Sequence, residues 1–117
     1  MQIATQDGDT KALKCLKAVV GFTLGAYTLG RIPLGATVER VDVGVRTVFN
    51  GSGATIDVGY SGTVGAFMAN ASITEATAGI YTVMPNVALT ADKTVIATVG
   101  GTVGTTGDAT VLLWYSV

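Results

Sequence analysis

Residues 38–49, VERVDVGVRTVF, alternate apolar and polar side chains with a period of two, a pattern that fits a strand and not an amphipathic helix. Val41, Val43, Val45, Thr47 and Phe49 share one face of such a strand, and Arg40, Asp42, Gly44 and Arg46 share the other. One face is therefore expected to be buried and one wet. Next come Asn50-Gly51-Ser52-Gly53, residues that tolerate the left-handed backbone of tight turns. Alternation then resumes, with Ala54, Ile56, Val58 and Tyr60 on one side and Thr55 and Asp57 on the other. The stretch predicts a β-hairpin whose two apolar rows face one core.

The same short period runs through most of the chain. Strands are expected at about Leu16–Thr23, YTLGRI, FMANASI, GIYTVMP, Thr94–Val99 and TVLLWYSV, separated by Pro33 and Gly35, by TEATAG, by Pro85 and Asn86, and by the loop TVGTTGDA. Lys11, Lys14 and Lys17 recur every three residues with Leu13, Leu16 and Val20 between them, which also fits a short amphipathic helix. The β-branched, aromatic and glycine residues of AVVGFTLGAYTLG favour a strand there instead. Seven to nine short strands in 117 residues predict an all-β, single-domain antiparallel β-sandwich, jelly-roll-like, over residues 13–117, preceded by a short flexible N-terminal arm over residues 1–12. Its core is expected to draw on Val41, Val43, Val45, Phe49, Ile56, Val58, Val95, Ala97, Val99, Val111 and Leu113.

The last strand departs from one-sided burial. Val111, Leu113, Tyr115 and Val117 lie on one face, yet Leu112 and Trp114 lie on the other, so neither side looks solvated. Either a loop of the same chain covers Trp114, or a second subunit does. Charged residues make up only 13% of the chain, against about one quarter in ordinary globular proteins, which leaves few charges to hold neighbours apart. Leu112 and Trp114 are the candidate oligomer interface.

Chemistry is scarce. The chain has no histidine, which removes Ser-His and Cys-His nucleophilic machinery and the commonest zinc ligand, and it leaves Cys15 without a base. Cys15 is the sole cysteine and reads as a small buried hydrophobe. Asp42 and Asp57 fall on the wet faces of the expected hairpin together with Arg40 and Arg46, a solvated charge pattern and not an acid/base pair. Asp7 and Asp9 have calcium-like spacing, but Lys11 stands at the third ligand position. GGTVGTTG lacks the Lys-Ser/Thr of a phosphate loop and precedes a strand, and Asn70-Ala71-Ser72 is a chance glycosylation match. No catalytic, metal or cofactor-binding residue is assigned, and no cofactor is expected. With seven basic and eight acidic side chains, a net charge of -1 gives no purchase on nucleic acid. No apolar stretch is long enough to span a bilayer, and the polar N-terminus does not read as a secretory signal.

The turn LGRIPLGATV, the segment TVFNGSGATIDVGYSG, the segment LTADKTVIATV and the closing strand ATVLLWYSV together resemble the small β-rich structural proteins of tailed bacteriophages, over roughly residues 16–117. That group includes capsid decoration or cement proteins and head fibres. The resemblance implies a non-enzymatic virion protein on the capsid surface, made in the host cytoplasm. Its partners would be the major capsid protein and further copies of itself, with a trimer favoured because icosahedral shells offer three-fold sites. The alternative is a tail-fibre or adhesin module that binds a host surface glycan. For the capsid contact, Asp7, Asp9, Lys11, Lys14 and Lys17 are the candidate residues, at and beside the arm.

Overall fold

Alternation becomes nine strands among residues 13–117, which the computed structural model describes. They are β1 (Lys14–Gly21), β2 (Gly25–Ile32), β3 (Thr37–Thr47), β4 (Thr55–Tyr60), β5 (Thr63–Met68), β6 (Gly79–Val83), β7 (Val87–Ala88), β8 (Lys93–Gly100) and β9 (Asp108–Ser116). The expected arm over residues 1–12 lies outside the described residues.

Two antiparallel sheets face each other. Sheet one has the order β1-β9-β3-β6, with β7 pairing the far end of β3, and sheet two has the order β2-β8-β4-β5. The pairing is nested in sequence: β4 with β5 at the tip, then β3 with β6, β2 with β8, and β1 with β9. A long hairpin rolled onto itself gives this arrangement, and it is that of a jelly roll. The all-β sandwich expected from the sequence is the fold.

All eleven expected core residues are buried, and they are joined by Val20, Ile32, Val38, Phe67, Met68, Ala109 and Tyr115. Two irregularities adjust β3. A register shift between Trp114 and Tyr115 lets Val38 and Val41, three residues apart, both face inward. A second shift, between Asp108 and Ala109, leaves Thr47 exposed where strict alternation had placed it on the core face.

The expected hairpin over residues 45–62 does not form. β3 belongs to sheet one and β4 to sheet two, so residues 48–54 are an arch across the sandwich. A two-residue Asn-Gly turn would need strands on both flanks, but β3 ends at Thr47 and β4 starts at Thr55. Asn50 serves a different purpose. Its Oδ1 accepts the N–H groups of Thr105 (2.8 Å) and Thr106 (3.1 Å), and its Nδ2 donates to Thr105 Oγ1, which docks the arch onto the β8–β9 loop. Backbone runs against backbone here: a Cβ on Gly51 would collide with the carbonyl of Thr102, and Gly101, at φ +91°, is equally tight against Gly53. The true local hairpin is β4–β5, which the sequence reading displaced: FMANASI holds only the end of β5, and Asn70–Ser72 is a single 3-10 turn.

Candidate functional site

The outer face of sheet one mixes apolar with charged and hydroxyl side chains. Alternation along β1 turns Leu16, Ala18 and Val20 inward, which sends Cys15, Lys17 and Val19 outward. Cys15 is therefore exposed on the outer face, not buried as expected, because Leu16 holds the core position next to it. Strand pairing sets the outward side chains in rows. Cys15, Trp114 and Arg40 form one; Lys17, Leu112, Asp42 and Thr82 form the next; Val19, Thr110, Gly44 and Ile80 form the third. Leu112 and Trp114 sit in the middle of this face, half-buried. A groove of about 300 Å³ runs beside Trp114, lined by Leu13, Glu39, Arg40 and Met84.

Asp42 organises the face. Its Oδ2 accepts Arg40 Nε (3.0 Å), Arg40 Nη2 (2.9 Å) and Trp114 Nε1 (3.3 Å), and its Oδ1 accepts the Thr82 hydroxyl (2.7 Å). The Arg40 guanidinium also lies 5.9 Å from the Trp114 ring centroid. Burial alone would raise the Asp42 carboxyl. The bonds from Thr82 and Arg40, the Arg40 charge and the Trp114 bond more than offset it, and the group is held below its ordinary range. Asp42 is thus buried and fully engaged, where the sequence placed it in solvent. Cys15, across the strand from Trp114, is pushed up by partial burial and by the Asp42 charge, so its thiol stays protonated.

Asp57 is nowhere near this network. It lies on the outer side of sheet two, where it accepts the backbone N–H (2.8 Å) and side-chain amide (3.2 Å) of Asn70 and caps the 3-10 turn. The two carboxylates thus stand on opposite sheets with the core between them. Glu75 is a second buried acid: its Oε2 accepts the Ile56 N–H (2.8 Å), and its carbonyl accepts the Phe49 N–H (2.9 Å), which fastens the arch to β4. Burial raises the Glu75 carboxyl, its own N–H and that of Ile56 lower it, the Asp57 charge raises it, and the net shift is upward.

The expected capsid-contact residues divide. Asp7, Asp9 and Lys11 lie outside the described residues. Lys14 and Lys17 are both exposed on β1, but a spacing of three along a strand places them on opposite faces. The sequence reading missed Ile80 and Met84, the two most exposed large apolar side chains among the described residues, at 78% and 73%. Among those residues no group of three or more acidic, cysteine or histidine side chains is placed to hold a metal ion, and no helix is long and apolar enough to cross a membrane.

No protein-family model matches the sequence, and no curated protein matches it. Solved structures do. A chain in the acidic stable capsid structure of Helicobacter pylori bacteriophage KHP30 aligns with a TM-score of 0.74 at 22% identity, covering 92% of this chain and 90% of that one. A chain of the cyanophage Pam1 capsid asymmetric unit aligns at 0.71 and 20% identity, covering 100% and 93%. A chain from the capsid of Ralstonia phage GP4 aligns at 0.60 and 17%, covering 97% and 90%. The protein has, end to end, the fold of chains found in three bacteriophage capsid structures.

Proposed function

We propose that the protein is a non-enzymatic structural component of a tailed-phage particle, a decoration or cement protein that binds the outer surface of the head and stabilises it. The observation that carries this reading is the reciprocal coverage: the matched capsid chains are themselves about this size, so the whole of each corresponds to this domain. The outer face of sheet one, where Val19, Ile80, Leu112 and Trp114 stand among charged and hydroxyl side chains, suits a surface that packs against protein. Leu112 and Trp114 then serve as a contact between copies, with a trimer matching the three-fold sites of an icosahedral shell. Residues 1–12, with Lys14 and Lys17 beside them, supply additional contacts to the major capsid protein, since many repeated contacts hold a particle component at high dilution.

Imaging of the assembled particle tests the reading. Density for this domain on the outside of the head is expected, and density on the tail would overturn it in favour of a fibre or adhesin module. In solution, Trp114→Ala and Leu112→Ser should weaken self-association at unchanged fold. Deleting residues 2–10 should lower occupancy on heads that lack the protein, with folding intact.

A further inference from the structure

We infer that β6 is an edge built to pair with β6 of a second copy, joining sheet one of two molecules into one continuous sheet about a two-fold axis midway between the two copies' Thr82 residues. Among the described residues four strands end the ordered runs of the two sheets, with the two-residue β7 continuing the β6 edge along β3, and three of the four are guarded. β1 carries exposed Lys14 and Lys17; β2 is bent by a register shift between Thr28 and Gly30 and carries Arg31; β5 pairs β4 through a shift between Val58 and Tyr60. β6 has none of these devices. It pairs β3 over five residues without irregularity, and no charged residue occurs anywhere from residue 76 to residue 91. Among the described residues nothing pairs with its other side.

The strand is complementary to itself. Antiparallel pairing about Thr82 sets Ile80 opposite the second copy's Met84 and Thr82 opposite Thr82 on the outer face, and Tyr81 opposite Val83 on the core face. These are apolar, hydroxyl and aromatic–β-branched pairs, each of a favourable kind, with no charge facing a like charge. Ile80 and Met84 are the two large apolar side chains left most exposed among the described residues, and this pairing covers both of them. Pro85 falls just beyond the ladder, opposite Gly79, where its missing N–H interrupts nothing. A centre at Val83 would bring Pro85 against Tyr81, and one at Tyr81 would pair Gly79–Val83 with itself but leave Ile80 and Met84 without each other, so Thr82 is the register that sets these two exposed side chains together. The inference concerns copies of this chain wherever they meet, and it stands apart from the surface that Leu112 and Trp114 provide.

Residues directly opposite in an antiparallel pair have Cα atoms about 4.5–5.5 Å apart, within disulfide range. In a Cys15→Ser background, Thr82→Cys is therefore expected to give a covalent dimer on mild oxidation. Ile80→Cys or Met84→Cys alone should not, and an equimolar mixture of those two should cross-link with each other. Adding Ile80→Lys and Met84→Lys to the Thr82→Cys chain should abolish its cross-link, since lysines would then face lysines. Circular dichroism confirms that each variant is folded. A folded Thr82→Cys protein that stays monomeric under oxidation, or Ile80→Cys linking to itself as readily as Thr82→Cys, would overturn the inference.

Discussion

Replacing Asp42 with Ala tests whether the outer face of sheet one is held by its buried carboxylate. The change strips four donors of their acceptor. The half-buried Trp114 indole N–H loses the most, about 1–1.5 kcal/mol, because water reaches it poorly. Arg40 has a side chain 49% exposed and recovers hydration, so its two bonds count for about 0.5–1 kcal/mol, and the exposed Thr82 hydroxyl for about 0.5 kcal/mol. The expected loss is about 2–3 kcal/mol, which for a domain of this size lowers Tm by roughly 8–12 °C. Thermal melts at neutral pH give the loss, and a double-mutant cycle with Trp114→Phe isolates the indole bond. Because the folded carboxyl titrates below its unfolded value, the stabilisation is present above about pH 4 and disappears as pH falls through the folded pKa. The parent and Asp42→Ala should therefore converge in acid. A variant that melts within about 2 °C of the parent at neutral pH, or a gap that widens as pH is lowered below about 4, would refute the reasoning.

Three further outcomes are expected. Val43→Asp puts an unpaired charge in a fully buried site and should leave the chain unfolded by circular dichroism at 25 °C. Glu75→Gln should act opposite to Asp42→Ala in its pH dependence: the raised Glu75 carboxyl adds stability below its unfolded value and loses it as pH rises through the folded one. Parent stability should thus fall by more than that of the variant as pH rises from about 4.5, as measured by urea titration at a series of rising pH values. Gly101→Ala, at a positive φ and against the Gly53 backbone, should destabilise more than Gly35→Ala, where φ is also positive but the space is open; matched melts decide it.

Period-two alternation made the core legible, since a buried valine every second residue needs no knowledge of which sheet the strand joins. That knowledge was what the arch at Asn50 required. Asn and Gly favour left-handed backbone in a hairpin and in an arch alike, so the turn chemistry did not reveal that Asn50 would spend its side chain on Thr105 and Thr106, 55 and 56 residues away. Asp42 shows the same limit. Its outward placement followed from parity, but its burial came from Arg40, Thr82 and Trp114, two of them on other strands. Trp114 and Leu112 were readable as the second apolar face because they interrupt alternation within one strand. Ile80 and Met84 were not, because GIYTVMP alternates normally and only its place at the sheet edge leaves them uncovered.

The nesting of the strand pairs governs the order in which the molecule can be made. β9 leaves the ribosome after the other eight described strands, yet it lies inside sheet one, hydrogen-bonded to β1 on one side and β3 on the other. Until residues 108–116 have been synthesised, β1 has no neighbour in its sheet among the described residues, and the inward face of β3 lacks Val111 and Leu113 beside it. The β4–β5 hairpin closes over a few residues and can form early, whereas the β1–β9 ladder closes the longest loop and is among the last to form. A nascent or truncated chain that lacks β9 therefore cannot display the surface carrying Leu112, Trp114 and Asp42.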